Sequence, residues 1–321
     1  MRVALVANPK SGRLRGLKAA AIAEERFRTA GWTVVTKCTR CAGDAQRIAR
    51  EAAQEGFDIV FACGGDGSVA EVVNGLVDTG VTAGVVPAGT GNDFARAIGL
   101  PLQPSKAVEQ LVTGHEAKID LLRVNDGALW SVNVMGMGLD ARVAARINRR
   151  ARLIGGLPAY LIALAQEFAR YRPTDVRLQM GARQWEGRVI LLAIANAVSY
   201  GAGMMISPKS KINDGLLDIV AVEYITRTQF ALNFPRVLKG THLSHPAIHH
   251  WQAASVQVVT DEPCPALTDG DVRCQTPLRV EAIHEKARFW MPPAYGTMST
   301  PAPAEVRPAR EIPATDPTTG A

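Results

Sequence analysis

Long apolar runs are missing from this 321-residue chain. None approaches the roughly 18 consecutive apolar residues that a membrane-crossing helix needs. The opening stretch, Met1-Arg2-Val3-Ala4-Leu5-Val6-Ala7, is too short for a secretory leader and reads as a first strand. A cytoplasmic location is therefore expected. Cysteine is scarce, and five is an odd number, which does not fit a disulfide framework. Cys38 and Cys41 have Cys-x-x-Cys spacing, but no second pair with metal-ligand spacing accompanies them. Aromatic residues make up 6% and do not interleave with basic ones, so no nucleic-acid partner is expected. Neither sign of charge dominates. The net charge of +6 suits attraction to an anionic surface such as phospholipid, and equally suits an ordinary basic protein.

What is present supports a packed interior. A hydrophobic share of 47% suits one large or two ordinary domains. The informative stretch is Gly64-Gly65-Asp66-Gly67-Ser68, after the apolar run Asp58 to Cys63. The run reads as a buried strand, and Val69, Val72, Val73 and Leu76 recur after the glycines at helical spacing. A strand thus delivers a glycine-rich turn to a helix N-terminus, where unpaired N–H groups and the helix dipole attract an anion. Asp66 would repel a phosphate unless a cation intervenes. A tight turn with Asp66 capping the helix explains the same residues.

A related pattern occurs elsewhere. Val3 to Ala7 ends in Asn8-Pro9-Lys10-Ser11-Gly12, with side chains suited to phosphate or sugar oxygens. Leu17 to Phe27 reads as a helix, Trp32 to Thr36 as a strand, and a helix after Thr39 and Gly43-Asp44-Ala45 runs to about Glu55. Val81 to Val86 is another strand, ending in Pro87-Ala88-Gly89-Thr90-Gly91-Asn92-Asp93-Phe94-Ala95-Arg96. Strand and helix alternate, which predicts a parallel, doubly wound sheet. Ligands bind such sheets beyond the strands' carboxyl ends, where the Asn8, Thr39, Gly64 and Gly89 loops all lie. Two glycine turns that each carry a hydroxyl and an acid favour phosphate binding over two unrelated caps.

The stretches Asn8 to Gly12, Gly64 to Ser68 with Glu71 and Asn74, and Pro87 to Arg96 resemble the diacylglycerol kinase catalytic domain family, and more narrowly its bacterial lipid kinases. The Gly-Gly-Asp-Gly-Ser element is shared with NAD kinases, whereas Gly-Thr-Gly-Asn-Asp-Phe-Ala-Arg is more particular to the lipid kinases. The resemblance spans about residues 1 to 292. It implies an α/β fold with an N-terminal Rossmann-like nucleotide domain and a C-terminal β-sandwich-rich domain. The expected bounds are 1–122 for ATP binding and 123–285 for a β-rich lipid domain. A strand at 286–292 would return to the first domain, ahead of a disordered tail at 293–321.

Past Leu122, Asn125-Asp126-Gly127 marks a hairpin between 119–124 and 129–134. Gly136-Met137-Gly138-Leu139-Asp140 is expected to open a helix, and Leu157 to Tyr171 a further one. Val176 to Met180, Arg188 to Ala195 and Leu216 to Val222 read as strands, with helices concentrated near this half's start. The arginines from Arg142 to Arg152 could meet a lipid headgroup or anionic membrane, although on residues alone a solvated helix face is the more ordinary reading. Four of six histidines, His242, His245, His249 and His250, share one segment without cysteine or acid beside them.

The resemblance assigns roles residue by residue. Asn8, Lys10, Ser11, Gly12, Thr39, Gly65, Gly67, Ser68, Glu71, Gly89, Thr90 and Asn92 would form the ATP site. Asp66, also in that site, and Asp93 would hold catalytic Mg²⁺. Lys211 and Leu216 carbonyls with the Asp214 carboxylate would hold a structural Mg²⁺, a hard-oxygen set. Asp271, in Thr268-Asp269-Gly270-Asp271, stands where the family carries Glu as the base for the lipid hydroxyl. It shortens the arm by about 1.5 Å. The implied reaction is ATP- and Mg²⁺-dependent phosphorylation of diacylglycerol or a related lipid, by an enzyme peripheral to the membrane, with pairing of two copies common in such kinases. An NAD-kinase-like enzyme and a non-catalytic nucleotide or lipid sensor are the alternatives.

Overall fold

The computed structural model describes residues 1–12, 14–143, 157–168 and 170–296. The expected tail at 293–321 is described only to 296, and Arg149, Arg150 and Arg152 lie outside the described residues.

Strand β1 (Arg2–Ala7) leads through helix α1 (Arg15–Thr29) to β2 (Thr33–Cys38), and α2 (Asp44–Gln54) leads on to β3 (Ile59–Gly64). Helix α3 (Asp66–Leu76) then connects to β4 (Thr82–Pro87). The four strands are parallel in the order β2-β1-β3-β4. Every residue of β3 and β4 is buried, as a sheet covered by helices on both faces requires. In α2, Ala45, Ile48, Ala49 and Ala52 are buried, one stripe at helical spacing. That stripe packs on α3, where Gly75 permits close approach: a Cβ there would lie 2.4 Å from the Gln46 carbonyl oxygen. A short helix α4 (Asp93–Ala97) and α5 (Pro104–Val112) follow, the latter packed on α1. Because the strand order reverses between β1 and β3, the loops after them border an open crevice.

Next, β5 (His115–Val124) and β6 (Leu129–Ser131) form the expected hairpin, with Leu122 opposite Ser131. Val134–Gly138 is strand β7, which corrects the helix expected to open at Gly136. Helical backbone begins at Leu139. Val134, Met135 and Met137 are buried, and β7 pairs with β9 and β13, so packing fixes the strand. Gly138, at φ 93, makes the turn into the helix.

After α6 (Leu157–Phe168) come β8 (Thr174–Met180), β9 (Arg183–Ala195) and β10 (Leu217–Glu223). Helix α7 (Arg227–Leu238) corrects the expectation that helices concentrate early in this half. Its signature was in the sequence: Thr226 and Gln229 form a reciprocal capping box. Then follow β11 (Ile248–Ala253), β12 (Ser255–Thr260), β13 (Pro265–Thr268), β14 (Asp271–Gln275) and β15 (Leu278–Met291). The first half of β9 pairs with β8, and its second half with β7 and β10, which closes a sandwich around Leu178, Leu192, Leu217 and Val280.

The chain is thus an α/β protein with a parallel N-terminal sheet and an antiparallel, sandwich-like C-terminal part. Strand β15 joins them. It pairs with β12 and β5, and its far end meets β4 in parallel, Phe289 opposite Ala83. Phe289 also meets Phe94 edge-on at 4.6 Å. Among the described residues no helix is long and apolar enough to cross a membrane.

Candidate active site

The loops after β1, β3 and β4 meet at the crevice. Asn8 closes the first loop on itself, accepting from the Lys10 N–H at 3.0 Å, and donates from Nδ2 to Ser68 Oγ at 3.3 Å. Gly12 has φ 52, and a Cβ there would fall 1.9 Å from the Ala88 carbonyl oxygen. A Cβ on Gly89 would sit 2.4 Å from the Gly65 Cα, so two bare backbones touch.

Between the loops lies a cavity of about 440 Å³. Asn8, Lys10, Ser11, Gly12, Thr39, Gly65, Gly67, Ser68, Glu71, Gly89 and Thr90 all line it, and so does Asp271 from the second domain. Arg40 and Cys41 line it as well and were not anticipated. Gly67 differs from the other loop glycines: a Cβ there would meet no protein atom within 4 Å. Packing does not demand glycine at this first turn of α3. The first turn of a helix is where unpaired N–H groups can meet an anion.

Three expected ligand residues turn out to have protein partners. Glu71 accepts from the Gly43 and Ala45 N–H groups at 2.9 and 3.1 Å, so it caps α2 while bordering the cavity. Asn92, at φ 53, folds its own loop, accepting from Gly89 N–H at 2.8 Å and donating to the Gly89 carbonyl at 3.1 Å. It does not line the cavity. Asp93 is 4% exposed and accepts from Ser199 Oγ, Ala202 N–H and Gly203 N–H at 3.1, 2.8 and 2.7 Å. It ties the second glycine loop to the 199–203 loop of the other domain.

Asp66, expected in the ATP site, is half-buried and does not itself line the cavity, although Gly65 and Gly67 on either side do. It accepts from the Phe94 N–H at 2.9 Å and from Asn133 Nδ2 at 3.4 Å. Burial, then the charge of Asp93, push its carboxyl up to about 6 against the pull of backbone donors. A Cβ on Gly91 would lie 3.1 Å from Asp66 Oδ2 and 2.9 Å from Asp93 Oδ2, so the two carboxylates flank one glycine.

Asp271 follows a turn held from below. Asp269 is buried and accepts from Ser131 Oγ, Val132 N–H and Asn133 N–H at 3.0, 2.9 and 2.8 Å. Two positive-φ residues, Asp269 and Gly270, then lift Asp271 out to the cavity. Its carboxylate lies 3.4 Å from the Arg273 guanidinium.

Lys211, Asp214 and Leu216 lie apart from the cavity. Asp214 accepts from the Leu216 N–H at 3.1 Å, and burial followed by the nearby Asp218 and Asp120 raises its carboxyl. Sequence reasoning missed Asp120, which is fully buried. It accepts from Gly215 N–H at 2.6 Å, Glu285 N–H at 2.7 Å and His284 Nδ1 at 2.9 Å, and so binds this segment to the bulge in β15. The histidine segment also gains acids from across the sheet. His250 contacts Asp218 at 2.6 Å and His249 contacts Glu223 at 3.2 Å. Among the described residues, no group of three or more His, Cys, Asp or Glu could hold a metal ion.

The comparisons agree with this geometry. Residues 2–124 match the diacylglycerol kinase catalytic domain, and residues 133–289 match the YegS C-terminal NAD kinase beta sandwich-like domain. A diacylglycerol kinase of Bacillus subtilis (strain 168) is 31% identical over 294 residues, 91% of this chain and 96% of that protein. The chain belongs to the diacylglycerol kinase family. A diacylglycerol kinase of Mycobacterium tuberculosis is 35% identical over 290 residues, 88% of this chain and 92% of its own length. The crystal structure of a diacylglycerol kinase from Bacillus anthracis shares the fold, with a TM-score of 0.71 at 21% identity over 92% of this chain and 98% of that one. As a member of the diacylglycerol kinase family, the protein is a lipid kinase that transfers phosphate to a hydroxyl.

Proposed function

We propose that the enzyme transfers the γ-phosphoryl group of ATP, with Mg²⁺, to a hydroxyl of diacylglycerol or a closely related lipid presented at a membrane surface. The observation that carries this reading is the open space over Gly67, at a helix N-terminus, in a cavity that Asp271 also lines. N–H groups at the start of α3 and in the Gly89–Thr90 turn would cradle phosphate oxygens, with Lys10, Ser11 and Thr39 around them. Asp271 would accept the proton of the attacking hydroxyl, the same task an aspartate performs in protein kinases. The Asp269 clamp would hold that carboxylate at the cavity's edge.

The residues present suit Mg²⁺. Asp66 is a carboxylate whose charge the fold opposes through burial and Asp93, and a cation relieves both. Bound there, Mg²⁺ would neutralise charge on the phosphates. Asp93, engaged with three donors, would brace the loop behind it. The Lys211–Leu216 segment offers one carboxylate and main-chain carbonyls, hard oxygens that suit a second, structural Mg²⁺. Membrane contact would draw on the exposed apolar side chains Ile162, Tyr224 and Leu232 of the second domain.

The test is incubation with γ-labelled ATP, Mg²⁺ and separate acceptors: diacylglycerol, a sphingoid base, phosphatidylglycerol and NAD. Label in the diacylglycerol extract is the expected result. Label in NAD, or in no acceptor, overturns the reading.

A further inference from the structure

Asn133 is the one described residue whose backbone sits on the acceptor turn while its side chain reaches the Asp66 carboxylate. Its N–H donates to Asp269 Oδ1 at 2.8 Å, two residues before Asp271. Its carbonyl accepts from Asn196 and Ala197 N–H at 2.8 and 3.1 Å, which fixes the backbone from the other side. The side chain is therefore carried on a rigid peptide and is only 4% exposed. Its Nδ2 donates to Asp66 Oδ1 at 3.4 Å, beside the Phe94 N–H on that same oxygen. Two donors on one oxygen set the rotation of the carboxylate, and its other oxygen is turned toward Gly91 and Asp93.

The remaining atom of the amide is informative. Asn133 Oδ1 is buried and has no hydrogen-bond partner among the described residues. A buried acceptor without a donor from the protein is satisfied most simply by ordered water or a bound group. It lies beside a carboxylate, so a second anion cannot complete it. A donor or a cation can, and an ordered water beside Asp66 has the right chemistry.

We propose that Asn133 is a positioning residue for phosphoryl transfer. It orients Asp66 toward its cation, holds an ordered water with Oδ1, and fixes the distance between the Asp66 loop and the turn bearing Asp271. The inference rests on the kinase reading of the Asp66 site. Its distinguishing consequence concerns Mg²⁺ alone: partners that orient a metal-binding carboxylate are worth about 10- to 100-fold in metal affinity.

The test uses the full chain with Asn133→Ala and Asn133→Leu, the latter similar in size but without the donor. Equilibrium binding of a fluorescent ATP analogue is measured without Mg²⁺ and across an Mg²⁺ titration, and lipid phosphorylation is followed separately. The Mg²⁺ concentration for half-effect should rise about tenfold or more, while Mg²⁺-free nucleotide affinity stays within about twofold. Circular dichroism confirms folding, and Asn133→Ser, which keeps a small donor, serves where either variant unfolds and should show an intermediate shift. An unchanged Mg²⁺ half-effect in a folded variant overturns the proposal. So does parallel loss of Mg²⁺-free binding, the mark of a purely structural residue. Nucleotide binding by the parent chain that ignores Mg²⁺ overturns it too. A parent chain with Mg²⁺-dependent binding and no lipid label defeats the proposed acceptor, while the titration still judges Asn133.

Discussion

Gly65 and Gly89 come together backbone to backbone, so the two glycine loops share one wall. A Cβ on Gly89 would sit 2.4 Å from the Gly65 Cα and 2.8 Å from Asn92 Oδ1. Gly67, two residues from Gly65, faces open space. Packing therefore requires glycine at Gly89 and leaves Gly67 free for a ligand to approach.

Gly89→Ala and Gly67→Ala should then separate cleanly. Gly89→Ala forces backbone apart and is expected to destabilise the fold by roughly 1–3 kcal/mol. Gly67→Ala lies inside α3 and is expected to raise stability by about 0.5–1 kcal/mol while weakening nucleotide binding. Thermal melts and ATP titrations on both variants check the pair. Normal nucleotide affinity in Gly67→Ala would remove this glycine from the phosphate cradle.

How much of this was legible beforehand depends on whether a residue's partners were near in sequence. The alternating strands and helices of the first domain carry their own periodicity, and the expected loops do converge. Asp93 and Glu71 were singled out as ligands, but their donors come from residues 199–203 and 43–45, contacts that only folding creates. Asp120 was invisible for the same reason, since its partners at 215, 284 and 285 lie far along the chain. Gly136 misled because a glycine before a helix reads as a breaker. Its actual role is to admit the Asp140 carboxylate, whose Oδ2 would lie 1.7 Å from a Cβ there.

Asp271 carries the clearest chemical prediction. Asp271→Asn keeps the size and the cavity but removes the base, so turnover should fall about 10²–10⁴-fold with ATP affinity nearly unchanged. Asp271→Glu lengthens the arm by one methylene and should retain measurable turnover. The steady-state rate and KM for ATP distinguish these outcomes. A fully active Asp271→Asn enzyme would exclude this carboxylate as the proton acceptor.

Asp66 should trade stability against function. Its folded carboxyl titrates at about 6 against an ordinary 3.8, because burial and Asp93 oppose its charge. Folding therefore favours the protonated form, and stability from this group falls as pH rises between those values and stays low above them. Asp66→Asn removes the charge and, without Mg²⁺ at pH 8, should melt later, by on the order of 1–3 kcal/mol. The same variant should lose Mg²⁺-dependent turnover. Paired melts at pH 4 and pH 8 check the sign: the gain belongs at pH 8 and should vanish at pH 4.

Asp140 offers a second titration, distinct in pH from the first. It is buried beside Gly136, accepts from the Ala141 N–H at 2.8 Å, and its other oxygen has no partner among the described residues. Burial, the largest influence, outweighs the hydrogen bonds from Ala141 and Tyr200 and pushes its carboxyl up to about 7, far above the ordinary 3.8. The folded protein thus holds a proton that the unfolded chain releases. Its stabilising effect is complete below the unfolded value, declines as pH rises, and is lost above about 7. Asp140→Asn mimics the protonated form at every pH. The variant should match the parent in unfolding free energy near pH 4 and exceed it by on the order of 1–3 kcal/mol at pH 8. Denaturant titrations at the two pH values measure this difference. A parent chain whose stability is flat between them, relative to Asp140→Asn, would show that the carboxyl titrates in the usual range despite its burial.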